Sequence, residues 1–191
     1  MSKNWDLLGH EWAVDLLKSH LAQDHLRHAY LLTGPDGIGR RTLALRFAMA
    51  LNHPEKIYDP EHRPSAQIAR GEHPDLSIVQ RVEGDRDLKI EAIRDLQHTL
   101  SLTPYMASYR VAVLLDFEQA SAGASNALLK TLEEPPGRVV LILTAESAES
   151  LLPTIVSRCE TLRLRPMPRE ALADGLAKLH GVEEAQALLL A

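Results

Sequence analysis

The segment Gly34-Pro35-Asp36-Gly37-Ile38-Gly39-Arg40-Arg41-Thr42 carries the first chemical signal in this chain. It follows the apolar run Ala29-Tyr30-Leu31-Leu32 and leads into a stretch from Arg41 to Leu51 that is rich in Ala and Leu and free of Gly and Pro. Strand, glycine-rich turn and helix in that order are the setting of the pattern G-x-x-x-x-G-K-[ST], whose backbone N–H groups turn inward to hold phosphates at a helix N-terminus. The spacing from Gly34 to Gly39 fits that pattern. Two side chains depart from it: Arg40 stands at the lysine position and Arg41 at the hydroxyl position. Arg40 keeps a positive charge but replaces a compact ammonium with a planar fork. Arg41 cannot ligate Mg²⁺, which takes oxygen donors. Thr42 has a hydroxyl one residue late, about 100° further around a helix. Two readings stand side by side, a working nucleotide loop and a relic turn kept for the fold.

A second constellation bears on that choice. Folds that hydrolyse nucleotides end a buried strand in an acidic pair, one acid holding Mg²⁺ and the other orienting water. In Val111-Ala112-Val113-Leu114-Leu115-Asp116-Phe117-Glu118 a single acid, Asp116, stands at the strand end. With Asp116 in the second position, Leu115 occupies the first, and leucine holds no metal. Two Mg²⁺ contacts missing together argue against hydrolysis.

The elements that must position these residues can be read from periodicity. Residues 9–26 place Trp12, Ala13, Leu16, Leu17 and Leu21 at helical spacing. Asp75 to Val79, Arg110 to Leu115, Val139 to Thr144 and Thr161 to Leu164 read as strands; residues 89–102 and 122–132 read as helices. Residues 52–64, with three prolines and two histidines, read as an irregular excursion. Buried strands alternating with helices predict an α/β fold with a parallel sheet covered on both faces. After Pro166 the strands cease, and Pro168 to His180 and Val182 to Ala191 read as short helices broken at Gly181. The expected organisation is therefore one α/β domain over residues 1–165 and the beginning of a small helical domain over 166–191.

Composition narrows the function classes. The 191 residues carry a formal net charge of −5, with 4% aromatics. An acidic chain poor in stacking side chains does not fit a free-standing nucleic-acid binder with a broad phosphate footprint. The lone cysteine, Cys159, cannot close an intramolecular disulfide. The polar start from Met1 to Asp6 lacks an apolar signal region, and no run approaches the roughly 20 apolar residues that span a bilayer. A cytoplasmic location without membrane contact is expected.

Several stretches together resemble the clamp-loader subunits of bacterial DNA polymerase III, a group within the AAA+ ATPases. They are Gly9-His10, His28-Ala29-Tyr30-Leu31-Leu32, the glycine turn, Asn126-Ala127-Leu128-Leu129-Lys130-Thr131-Leu132-Glu133-Glu134-Pro135-Pro136, and Leu152-Pro153-Thr154-Ile155-Val156-Ser157-Arg158-Cys159. The motor branch, gamma or tau, combines an intact phosphate loop, an acidic pair and the Ser-Arg-Cys triplet. The delta-prime branch keeps the triplet while its own site is often degraded, and this chain resembles that second branch. The stretch from Ile68 to Asp75 and the helix from Lys89 also look more like delta-prime.

The resemblance implies an AAA+ domain followed by a helical lid, and a non-catalytic, stator-like subunit that helps load the sliding clamp on primed DNA. Within the Ser157-Arg158-Cys159 motif, Arg158 would be an arginine finger reaching a neighbouring ATPase subunit, where a guanidinium neutralises charge developing in phosphoryl transfer. Gly34, Gly37, Gly39, Arg40, Arg41, Thr42 and Asp116 would form a degraded nucleotide site, and Thr144 would stand at the sensor position with a structural role. Lys130 lies in a helix that faces DNA in some loader subunits, although a lone lysine on a helix is usually only solvated. The implied partners are the gamma or tau and delta subunits, with the sliding clamp and primer-template DNA reached through the complex. No ATPase activity of its own and no cofactor are expected. The backbone cradle at Gly37 and Gly39 leaves room for weak ATP or ADP binding without Mg²⁺.

Two departures accompany the resemblance. Many relatives carry a four-cysteine zinc module after the phosphate-loop helix, whereas here the thiol positions fall near Asp59, His62 and Ser65. His53 and His62, taken as isolated solvent-facing histidines, predict no structural zinc. Loader subunits also continue into a third, collar domain, so the chain reads as a truncated piece of a longer protein. The competing function is an ATP-hydrolysing gamma- or tau-like motor, with Arg40 serving as the lysine and Thr42 or water holding Mg²⁺.

Overall fold

The structure is a computed structural model that describes residues 4–23, 25–57 and 59–180. Five strands form one sheet: β1 (Ala29–Thr33), β2 (Leu76–Val79), β3 (Arg110–Leu114), β4 (Val139–Ala145) and β5 (Glu160–Arg163). Their order is β2-β3-β4-β1-β5 and every pairing is parallel. Parallel neighbours need a crossover between them, and the crossovers here are helices packed on the two faces.

Alternation along each strand sends side chains to opposite faces. Tyr30, Leu32, Val111, Val113, Val140 and Ile142 face one core with α1 (Glu11–Ala22) and α2 (Arg40–Asn52). Ala29, Leu31, Ala112, Leu114, Leu141 and Leu143 face the other, against α4 (Ile90–Leu100) and α5 (Ala122–Glu133). Both faces are dry, which is why the strands read as continuous apolar runs rather than alternating ones. Three aromatics meet on the first face: Tyr30 meets Phe47 edge-on with centroids 4.8 Å apart, and Trp5 stacks on Phe47 at 6.2 Å, while Phe117 lies in the second core.

Some expected boundaries move. The first helix begins at Glu11 rather than near residue 9, because Gly9 and His10 both adopt left-handed backbone, φ 76° and 62°. The excursion after α2 is more regular than its prolines predict. A 3₁₀ turn spans Pro54–Lys56 and α3 runs from Arg63 to Arg70, with a proline in its first turn and Gly71 (φ 77°) closing it. A proline at that position starts a helix, since the N–H it lacks has no helical partner there anyway. A short α6 (Pro153–Val156) begins the same way. Beyond β5, α7 spans Arg169–His180; the second helix expected over 182–191 lies outside the described residues.

Polar groups seal the amino edge of the sheet. Asp75, fully buried just before β2, accepts backbone N–H bonds from Tyr105 (2.6 Å), Met106 (2.8 Å) and Ala107 (3.0 Å), and pairs with buried Arg110 at 3.2 Å. Asn52, at the end of α2, exchanges two hydrogen bonds with the Tyr109 backbone at 2.9 and 3.0 Å. These contacts fix the connection between α4 and β3 without regular secondary structure.

Candidate functional site

The carboxyl edge of the sheet gathers the glycine turn after β1, Asp116 after β3 and Thr144 in the last turn of β4. In an open parallel sheet this edge is where ligands bind, at the point where strand order reverses. The turn is held from several sides. The Gly34 N–H reaches the Ala145 and Glu146 carbonyls at 3.2 and 3.1 Å. A Cβ at Gly34 would meet the Leu164 carbonyl oxygen at 3.0 Å, so the close approach of β5 requires glycine there. His10 Nε2 lies 2.9 Å from the Ile38 carbonyl oxygen; a carbonyl only accepts, so this nitrogen carries the proton. Gly37 and Gly39 have φ of 75° and 96°, and the Gly39 carbonyl accepts the first bond of α2.

A cavity of about 320 Å³ opens at this edge. Gly37, Gly39, Arg40, Arg41 and Thr42 line one wall and Leu115, Asp116 and Thr144 the other. Asp36 and Gln80, which carried no sequence signal of their own, complete it. Gly34 lies beneath the turn and does not line the cavity.

Arg40 decides the electrostatics. Its side chain is 6% exposed, and Nη2 lies 2.7 Å from Asp36 Oδ1 and 3.1 Å from Asp116 Oδ1. One guanidinium thus bridges two carboxylates, while Nη1 is buried without a protein partner. Arg41 reaches only Gln80 Oε1, at 3.5 Å. Asp116 sits in left-handed backbone (φ 47°), and its N–H donates to Thr144 Oγ1 at 2.8 Å. Just past the end of β3 at Leu114, Leu115 still donates to the Val79 carbonyl of β2 at 2.8 Å, and its hydrocarbon lines the cavity. Nearby, burial first and then the charge of Asp116 push the Glu118 carboxyl above its ordinary value.

Leu115 offers no oxygen to Mg²⁺, and a cation near Asp36 and Asp116 would have to share their Oδ1 atoms with the buried Arg40 guanidinium, which makes this a poor match to an octahedral oxygen shell. What remains is a backbone cradle with an arginine in it.

Arg158 stands at the other end of the sheet. The Ser-Arg-Cys turn precedes β5, whose first residue, Glu160, pairs with Tyr30 near the start of β1; the glycine turn follows the end of β1. A strand of this length spans roughly 15 Å at about 3.3 Å per residue, so Arg158 cannot reach its own cradle. Arg158 Nη2 contacts Glu133 Oε1 at 2.7 Å and Nη1 donates to the Thr154 carbonyl at 2.8 Å, with the side chain about one third exposed (34%). Ser157 is exposed and its hydroxyl donates to the Thr154 carbonyl at 3.3 Å. Cys159 turns inward against the second core, and burial pushes its thiol up to about 12. Lys130 is exposed on α5.

The two histidines of the excursion are not isolated, and both are half-buried. The His53 and His62 rings meet edge-on with centroids 4.9 Å apart, and His73 comes within 6.2 Å of His53. His62 Nδ1 bonds Ser65 Oγ at 2.8 Å, and His73 Nδ1 accepts the Asp75 N–H at 3.1 Å. Burial lowers the pKa of both His53 and His73, and the neighbouring rings add to the effect at His53. With no cysteine in this stretch, the residues do not fit a four-cysteine zinc module. Among the described residues no group of three or more His, Cys, Asp or Glu side chains is arranged to hold a metal ion. None of the described helices is long and apolar enough to cross a membrane.

The strand order, the glycine turn opening a helix and the ligand edge define an α/β domain of the AAA+, P-loop NTPase-like class. Solved structures share this fold. A DNA polymerase III gamma-subunit-related protein from Thermotoga maritima superposes with a TM-score of 0.65 at 22% identity, over 91% of this chain and 57% of that one. The RuvB Holliday junction branch migration motor of the same organism gives 0.63 at 18% identity, over 96% and 56%. Residues 9–168 match the family model described as DNA polymerase III, delta subunit, and the chain belongs to that family. It is 37% identical over 165 residues to the DNA polymerase III subunit delta′ of Pseudomonas aeruginosa, covering 84% of this chain and 50% of the relative. It is 30% identical over 181 residues to the DNA polymerase III subunit tau of Bacillus subtilis, covering 95% and 32%. The chain thus spans half or less of the length of these relatives.

Proposed function

We propose that this chain is the front part of a non-hydrolysing, delta′-type clamp-loader subunit that lends Arg158 to the ATP site of a neighbouring gamma- or tau-type subunit. Through that complex, which also contains a delta subunit, it helps load the sliding clamp on primer-template DNA. One observation carries the reading: Arg40 and Arg158 lie at opposite ends of the sheet, Arg40 buried within its own cradle and Arg158 partly exposed on a rim, each with a carboxylate partner. Arg40 is neutralised inside its own cradle by Asp36 and Asp116, beside a leucine where a metal-holding acid belongs. Arg158 stands on a rim, beside a partly buried cysteine, at the edge its own cradle does not face. A charge in that position acts on a second molecule.

The test is the ATPase rate of the assembled loader, stimulated by clamp and primed DNA, with Arg158→Ala in the full-length subunit. A loss of about 10³-fold or more at the neighbouring site is expected by analogy with GTPase fingers, and unchanged turnover overturns the assignment. The motor reading draws on the tau and gamma names among the relatives and on the open cavity. Calorimetry separates the two: ATP affinity that depends on Mg²⁺ favours the motor, whereas weak, Mg²⁺-independent binding to the backbone cradle fits the stator.

A further inference from the structure

The finger assignment leaves unexplained why the charge it needs is already taken. Arg158 Nη2 lies 2.7 Å from Glu133 Oε1, and Nη1 is held by the Thr154 carbonyl at 2.8 Å. Both anchors come from neighbouring elements, Glu133 from the last residue of α5 and Thr154 from α6. A guanidinium has five N–H donors in a rigid fork. The two contacts occupy both terminal nitrogens and turn the fork back onto the subunit's own helix end. The carboxylate also cancels the positive charge that a phosphoryl group would meet, and sets a negative charge where a polyphosphate would approach. Resting on the finger reading above, we propose that Glu133 is a positioning residue that parks Arg158 in a folded-back, charge-neutralised state, and that docking of the neighbour's nucleotide pulls the fork off the carboxylate.

The burial of the pair fits a reversible latch. Glu133 and Arg158 side chains are 51% and 34% exposed, so water competes for both partners and the contact exchanges readily. The Arg40 fork differs, being buried where it bridges Asp36 and Asp116. The Thr154 carbonyl bond and the inward anchor of Cys159 do not depend on Glu133, so releasing the carboxylate leaves the turn itself in place. A latch of this kind keeps the neighbouring site slow until the subunits close on each other.

The experiment measures ATPase of the assembled loader, built with full-length subunit, before and after addition of clamp and primed DNA. Glu133→Gln keeps the side-chain shape and removes the charge. It is expected to raise the unstimulated kcat about two- to fivefold, the range a half-exposed ion pair can supply, and to leave the stimulated rate near wild type. Glu133→Asp, too short to reach Nη2, should behave alike and guards against an idiosyncratic effect of glutamine. Raising the ionic strength should lift the unstimulated rate of wild type toward that of Glu133→Gln, with no matching rise in the variant. In an Arg158→Ala background Glu133→Gln should change nothing further. Arg158→Ala impaired with Glu133→Gln equal to wild type overturns the latch and leaves the finger standing. A Glu133→Gln rate below wild type overturns it as well, since the carboxylate then aims the fork rather than restrains it. Normal turnover in Arg158→Ala removes the finger and the latch with it.

Discussion

At the scale of single residues, neighbours in sequence meet opposite environments. Arg158 projects to a rim while Cys159, the next residue, is partly buried against the second core. The thiol is held up at about 12 from an ordinary 9.0, so at pH 8 the folded protein carries about a thousandfold less thiolate than an open cysteine. The thiolate is the reacting species. Alkylation by iodoacetamide should therefore be slow in the native protein and complete within minutes in 6 M guanidinium (a value of about that size suffices to unfold most domains). Rapid native labelling would show that the turn opens and that Arg158 lacks a fixed base. The sequence singled out Arg158, Ser157 and Cys159 together because they form a motif. It could not reveal Glu133 as the partner of Arg158, because residues 25 positions apart meet only through the packing of α5 against α6.

At the scale of elements, one carboxylate fastens the amino edge of the sheet. Asp75 gathers three backbone N–H groups and Arg110 where no water reaches its side chain. The Arg40–Asp116 contact has nearly the same length, 3.1 Å against 3.2 Å, but Asp116 is 42% exposed and Asp75 is not exposed at all. Removing Asp75 strands a buried guanidinium and three donors, so Asp75→Ala should lower stability by about 3–5 kcal/mol. Asp75→Ala with Arg110→Met should recover part of that loss, because the unpaired charge goes too. Urea unfolding of the three proteins measures it, and a loss under 1 kcal/mol for Asp75→Ala would show the ion pair to be idle. Most strands and long helices were legible in the sequence because each is a periodic apolar pattern read locally. Helix α3 was not, since its proline was read as a breaker when in the first turn it is a starter.

At the scale of the whole molecule, titration couples the histidine cluster and the edge clamp to folding in two separate windows. Burial lowers the pKa of His53 and His73 below the ordinary 6.5. For a group depressed in this way the unfolded chain binds the proton first. The stability contributed by the neutral rings is complete above about pH 6.5 and declines as pH falls from there toward the folded values. Asp75 is also depressed from 3.8: burial alone would raise it, but three N–H bonds and Arg110 outweigh burial. Its contribution is present above about pH 3.8 and is lost as pH falls through its lower folded value. Thermal melting from pH 8 to pH 3 should show a first decline below about 6.5 and a second below about 4. His53→Gln should reduce the first, leaving the part due to His73, and spare the second. A melting temperature constant between pH 7.5 and 5.5 would show that the His53 and His73 rings take up protons without strain.

By itself the sequence determined the kind of fold, the place of the glycine turn and the identity of the side chains beside it. Apolar period, glycine spacing and residue type are local properties, and a leucine or an arginine in a ligand position means the same wherever the chain goes. Only the tertiary structure decided what the surviving charges do. Arg40 closes on Asp116, His73 joins His53, and Glu133 meets Arg158 because parallel strands and their crossover helices carry distant segments together. Those distances depend on how helices pack across the two cores, and nothing in the spacing of residues along the chain encodes them.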